Sequence, residues 1–177
     1  MKSSNASVIL LAVFVVLIPA CAFNDINIKE DKRLIVIAPE DRSVVKLPFT
    51  IRWEVKDFTV TGPDGSRRRD AGYFAVFIDR SPMAPGRDLR WVAEDDEPCL
   101  RTPGCPDEEY LNRYYVYTMS NSSLEVTSLP DTRPVERPQA KDRHEATIVL
   151  LNGASERIGE SAFAVRFIVD RTRGQSF

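Results

Sequence analysis

Phe49-Thr50-Ile51-Arg52-Trp53-Glu54-Val55 is the stretch that decides the fold. Apolar and polar residues alternate through it with a period of two, which predicts a β-strand with one buried and one wet face. Trp53 falls on the apolar face and is expected in the core. Gly72 to Asp79 is a second strand of another kind. Phe74, Val76 and Ile78 share one face and Tyr73, Ala75 and Phe77 the other, so both faces are apolar and the strand should lie centrally.

Further strands are read at Leu34 to Ala38, Tyr114 to Met119, Leu124 to Leu129, His144 to Leu151 and Ala162 to Asp170, the last carrying Phe163. Turn chemistry separates them: Pro39-Glu40-Asp41 ends the first, Gly62-Pro63-Asp64-Gly65 is a turn, and Asn152-Gly153 opens a late connection. Pro130 to Arg143 is a polar loop with three prolines. Only Asp107 to Tyr114 offers a helix. No internal repeat is present.

Two features interrupt this all-β pattern. Residues Arg80 to Arg113 form a long excursion with five prolines and the cysteines Cys99 and Cys105. Pro103-Gly104 lets the chain fold back between them, and in an oxidising compartment a disulfide is expected. Such an excursion is expected to be a contact region, removable with the sandwich still folded. The other feature is the chain's start. Lys2, the apolar run Val8 to Leu17 and the small residues after it form a secretory signal, too short for a comfortable membrane span.

Ile18-Pro19-Ala20-Cys21 resembles the lipobox of bacterial lipoproteins. The resemblance implies cleavage before Cys21 and acylation of that cysteine, leaving the protein membrane-anchored and facing the periplasm or the cell exterior. Ala22 is not the aspartate that retains such proteins in an inner membrane, so an outer-membrane address follows where a cell has two membranes. A rival cut at Ala20-Cys21-Ala22 would release a soluble chain starting at Phe23. The resulting organisation is signal 1–20, anchored tether 21–32, folded domain 33–171 and tail 172–177.

The order of strands resembles a fibronectin type III or related immunoglobulin-like module. Phe49-Thr50-Ile51-Arg52-Trp53 is similar to its second strand, Tyr73-Phe74-Ala75-Val76-Phe77-Ile78-Asp79 to its third, and Leu124-Glu125-Val126-Thr127-Ser128-Leu129-Pro130 to its fifth strand and following corner. The expected fold is therefore an all-β, seven-stranded, immunoglobulin-like sandwich with a long disulfide-containing insertion. His144 stands where that family usually has a tyrosine.

Candidate sites follow from residue chemistry. Tyr110, Tyr114, Tyr115 and Tyr117 are amphipathic aromatics suited to a glycan or peptide, although alternation splits them between faces. Arg67, Arg68 and Arg69 form a charged tip that keeps strand edges soluble or touches anionic headgroups. Asp95, Asp96 and Glu97 precede the cysteine ring and Asp107, Glu108 and Glu109 follow it, a set that would offer oxygen ligands to Ca2+ without an EF-hand spacing. Asn121-Ser122-Ser123 is a glycosylation sequon in a eukaryotic host.

Catalytic signals are sparse. His144 is the sole histidine, so the H-E-x-x-H zinc motif fails, and no G-x-S-x-G elbow occurs. A formal net charge of −2 with intermixed signs gives no pull toward nucleic acid. The sequence thus points to an exported envelope binding or scaffolding module, not an enzyme, whose partner is an envelope protein or glycan. The alternatives are an accessory subunit of an envelope complex, or a calcium-dependent glycan binder or small hydrolase.

Overall fold

The computed structural model describes residues 31–161 and 164–171. The expected signal and lipobox with Cys21, most of the expected tether, Phe163, and the tail at 172–177 lie outside them. Asp31, assigned above to the tether, is already part of the body: it is buried and bonded to Arg33.

The fold is all-β, with ten strands among the described residues in sheets of three and seven. The small sheet orders β1 (Leu34–Ala38), β3 (Phe49–Val55) and β7 (Ser123–Val126) with β3 in the middle. The large sheet runs β2 (Ser43–Val45), β10 (Val165–Val169), β8 (Asp142–Leu151), β5 (Ala71–Ile78) and β4 (Thr59–Val60). β6 (Val116–Met119) pairs antiparallel with β5, and β9 (Arg157–Ser161) with the end of β8.

The expected count of seven strands is therefore corrected to ten. β2 and β4 are too short to show a period, and β9 reads Arg-Ile-Gly-Glu-Ser, with one apolar side chain to mark a face. β2 and β4 both join their neighbours in parallel, which no local turn signal announces.

Between the sheets lies the main core. Trp53 is 1% exposed and meets Phe74 edge-on at 5.3 Å, while Ile51, Val76, Ile78, Ile148, Leu150 and Phe167 fill the space around them. The expectation for Trp53 holds. β5 is buried along its whole length, as its two apolar faces require.

Its second face is covered by the excursion. A 3-10 turn at Leu89–Ala93 and helices α1 (Glu97–Arg101) and α2 (Glu108–Arg113) lie on the outer side of the large sheet. Met83, Leu89, Val92, Ala93, Tyr110 and Leu111 pack there against Tyr73, Ala75, Phe77, Val149 and Leu151 as a second core. Cys99 and Cys105 hold the Cα separation of a disulfide, 5.3 Å, and Cys99 belongs to this core. β5 and β8 approach so closely at Gly72 that a Cβ there would stand 1.9 Å from the Leu151 carbonyl oxygen.

The excursion is thus a third layer, and the expectation that it can be removed without harm is overturned: removal would expose a continuous apolar face. Replacing residues 82–106 by a tight turn is expected to abolish cooperative unfolding and to expose dye-binding apolar surface. Leu111→Ala should cost about 2–5 kcal/mol in denaturant titrations. A shortened chain that melts as sharply as the parent would refute the layer.

Candidate functional site

The cap stops where β5 ends, and the outer face of the large sheet continues beyond it. At this step lies a cleft of about 860 Å³. Its chemistry begins with Asp79, whose φ of +55° turns the chain after β5. The Asp79 amide donates to the Glu145 carbonyl at 2.8 Å, Oδ1 accepts from the Glu145 amide at 3.0 Å, and Oδ2 faces His144 Nδ1 at 2.7 Å.

His144 is buried, opposite Phe167 in the β8–β10 ladder, and stacks on that ring at 5.7 Å between centroids. Its Nε2 stands 3.1 Å from Asp142 Oδ1 without an aligned hydrogen bond. Asp142 in turn accepts from the amide and hydroxyl of Thr132, each at 2.8 Å, and from Arg171 Nε. Arg171 also donates to the carbonyls of Leu129 and Pro130, at 3.0 and 2.7 Å. The polar chain Asp79–His144–Asp142–Arg171 therefore ties the end of β5, the start of β8 and the loop after β7 into one unit.

Burial alone disfavours the imidazolium of His144, but Asp79 and then Asp142 outweigh it and raise its pKa above the ordinary value. Burial likewise opposes the Asp142 carboxylate. Thr132, Arg171 and His144 overcome that and hold it at about 2. Both ring nitrogens of His144 face carboxylates, so the ring binds strands together and no serine is bonded to it among the described residues.

The rim of the cleft is basic. Arg42, Arg80, Lys141, Arg143 and Arg166 line it with Asp79 and Glu145 as the opposing charges. Arg166 is held by both carboxylate oxygens of Asp41, at 3.0 and 2.6 Å. Arg80 lies over the rings of Trp91 and Tyr114, at 5.8 and 5.7 Å, which fixes it on the lip of the cap. Lys141 and Arg143 are exposed.

The sequence-derived candidates are scattered rather than gathered. Tyr110 is buried in the second core and its hydroxyl donates to Asp96 at 3.1 Å, so it is no contact residue. Tyr114 is exposed beside Arg80, and Tyr115 and Tyr117 pack against the main core. The four tyrosines do not form one face. Asp96 and Asp107 cap α1 and α2, accepting from the amides of Cys99 and Tyr110, and Glu97 pairs with Arg101. Asp95, Glu108 and Glu109 are exposed. Among the described residues no group of three or more acidic, histidine or cysteine side chains converges to hold a metal.

Arg67 pairs with Glu156 at 2.8 Å and Arg68 with Asp70 at 3.0 Å. The turn that carries them is bonded to the β8–β9 connection, Gly65 N to Gly153 O at 2.8 Å, so it is not an isolated tip. The cleft residues Asp79, Arg42, Arg80, Lys141, Arg143 and Arg166, and Asp142 buried behind His144, escaped sequence reasoning. Only the basic spacing of Lys141 and Arg143 just before His144 gave a local signal. In comparisons with known proteins, no family model, curated protein or solved structure matches the chain.

The two shifted groups set the pH profile of stability. His144, with its folded pKa raised, contributes fully below about pH 6.5 and loses that contribution as pH rises through the folded value. Asp142, with its folded pKa lowered, contributes above about pH 4 and loses it as pH falls toward 2. The melting temperature is expected to be highest between these limits, and His144→Gln should flatten the alkaline side. A parent protein that grows more stable from pH 6.5 to 8.5 would contradict the assignment.

Proposed function

We propose that the protein is an exported cell-envelope lipoprotein, anchored through Cys21, whose immunoglobulin-like sandwich binds an anionic partner in the cleft beside His144. It acts as a binding module rather than an enzyme. The observation that carries this reading is the basic rim of Arg42, Arg80, Lys141, Arg143 and Arg166 around a cleft large enough for a sugar or peptide segment. Steering of an anionic glycan or acidic protein segment to such a rim is a matter of field as much as contact.

The strand order supports the fold half of the proposal. Counting β1, β3, β5, β6, β7, β8 and β10 as the major strands, the first, second and fifth share one sheet and the others share the second. Fibronectin type III-like modules divide their strands in a similar way. Cys99 and Cys105, placed for a disulfide, are in keeping with export. The alternative of an accessory subunit draws on β1, an edge strand of the small sheet on which Ile35 and Ile37 are 45% and 47% exposed, a surface fit for strand addition by a partner.

Mass spectrometry of the membrane-extracted chain is expected to find acyl chains on Cys21. An unmodified N-terminus at Phe23 in the soluble fraction would refute the anchor. For the cleft, titration with an acidic polysaccharide should show affinity that falls with salt and with Lys141→Gln or Arg143→Gln, while a neutral polysaccharide binds weakly. Equal binding of both polymers would refute the anionic partner.

A further inference from the structure

A second basic cavity opens at the opposite end of the β5–β8 pair, where β8 turns through Asn152–Glu156 into β9. It measures about 650 Å³ and is lined by Arg33, Arg67, Arg69 and Arg157, with Glu156 and Asn152 among its polar walls. Four separate segments line it: the entry to β1, the loop before β5, Pro85 and Gly86 at the start of the cap, and the β8–β9 connection.

Arg157 is the unusual member. It is 6% exposed, yet its Nε is sealed from solvent without a hydrogen-bond partner, and among the described residues its side chain bonds only from Nη1 to the Met83 carbonyl. A buried guanidinium left with unmatched donors is costly, and native structures leave such groups for a reason. Asp31 accepts Arg33 at 3.0 and 2.8 Å and so answers that charge. Gly159 makes room for the pair, since a Cβ there would meet Arg33 Nη2 at 2.3 Å. Glu156, half-buried and also bonded by Asn152 Nδ2 at 3.0 Å, answers Arg67, whose exposed side chain is free to swing to another anion. Glu160 acts on Arg157 only through its field, as does Asp31. The Arg69 guanidinium has no partner among the described residues, its carbonyl alone being used, by Arg33 at 3.1 Å.

The place of the cavity supplies an independent argument. Asp31 and Arg33 stand at its edge, and nine residues lie between Cys21 and Asp31 in the sequence. Fully extended, that segment spans at most roughly 35 Å. The β8 ladder then carries the His144 cleft about one strand length farther from the attachment point, roughly 30 Å. With Cys21 acylated, the arginine end would be the end within shorter reach of the anchor and the His144 end the farther one.

We propose that Arg33, Arg67, Arg69 and Arg157 form a binding site for a phosphate-bearing headgroup of the membrane in which the chain is anchored. This rests on the anchored reading above. Arg69 supplies the uncommitted donors, Arg67 leaves Glu156 to join it, Arg33 forms the fixed wall, and Arg157 behind them adds a positive charge that no carboxylate touches. The headgroup site orients the sandwich with its other cleft toward the periplasm or exterior.

The test uses the full mature chain and soluble short-chain lipids, so that it reads the site whether or not Cys21 carries acyl chains. Dihexanoyl phosphatidylglycerol below its micellar concentration, dihexanoyl phosphatidylcholine and inorganic phosphate are titrated, with hydrogen exchange at residues 64–69 and 152–159 as the readout. Phosphatidylglycerol is expected to protect both segments, and Arg69→Gln to weaken it about fivefold, in line with one basic residue at an anionic surface. Arg157→Gln should do the same if it folds; Arg69→Gln, on an exposed loop, decides the matter if it does not. No protection by phosphatidylglycerol, or equal protection by phosphatidylcholine, overturns the site. Protection by inorganic phosphate as strong as by phosphatidylglycerol assigns the cavity to a free anion and overturns the headgroup. Loss of acylation with protection intact would count against the anchor alone.

Discussion

β5 and β8 pair antiparallel from Tyr73 opposite Leu151 to Ile78 opposite Ala146, and the sheet they form is buried on both sides. A strand in a two-layer sandwich has one wet face, so Tyr73, Ala75, Phe77, Val149 and Leu151 demand a cover the second sheet cannot give. The excursion from Arg80 to Arg113 meets that demand, with short helices in place of a third sheet. Gly72 lets the two backbones approach at one end of the ladder, and at the other Asp79 folds back to bond Glu145. Everything else in the domain is arranged around this pair: β10 and β2 extend it on one side, and β6 and β4 on the other.

The ends of the ladder are where apolar packing gives way to charge. At the start of β8, the imidazole of His144 lies between two carboxylates, and Arg171 and Thr132 complete the network. His144 and Asp142 are buried in company, which favours their charged forms while the loop after β7 is drawn down onto the sheet. At the other end the Asn152 side chain organises its own turn, its Oδ1 accepting from Ala154 and Glu156 at 3.0 Å, and the arginine cavity opens beside it. The basic residues at the two ends face different surroundings: those beside His144 line the uncovered step of the sheet, and those beside Arg157 line the side from which the chain enters the fold.

Much of this fold was legible because strand periodicity is local. β3 follows from alternation and β5 from a short apolar run bounded by turn residues, Trp53 falls on the core face by count, and Asn152-Gly153 marks a connection where one exists. The same reasoning held a further message that was not drawn: a doubly apolar β5 needs two covers, and Met83, Leu89, Val92, Tyr110 and Leu111 were the apolar residues left to supply one. The helix expected at Asp107 to Tyr114 is present as α2, whereas α1 was hard to see because it is five residues long, too short for a 3.6-residue pattern. Prolines and a cysteine ring made the segment look like an exposed loop. Neither basic site was legible, because Asp79 and His144 lie 65 residues apart and the four arginines come from segments that only the closed fold brings together.

The central claim is that the cap and the β5–β8 ladder are one cooperative structure, not a sandwich with a decorated loop. Native-state hydrogen exchange along a denaturant series tests it most directly, because it resolves which segments open together. The account predicts that amides of α2, around Leu111, open in the same transition as those of β5 and the second half of β8. Free exchange of α2 while β5 and β8 stay protected would contradict it.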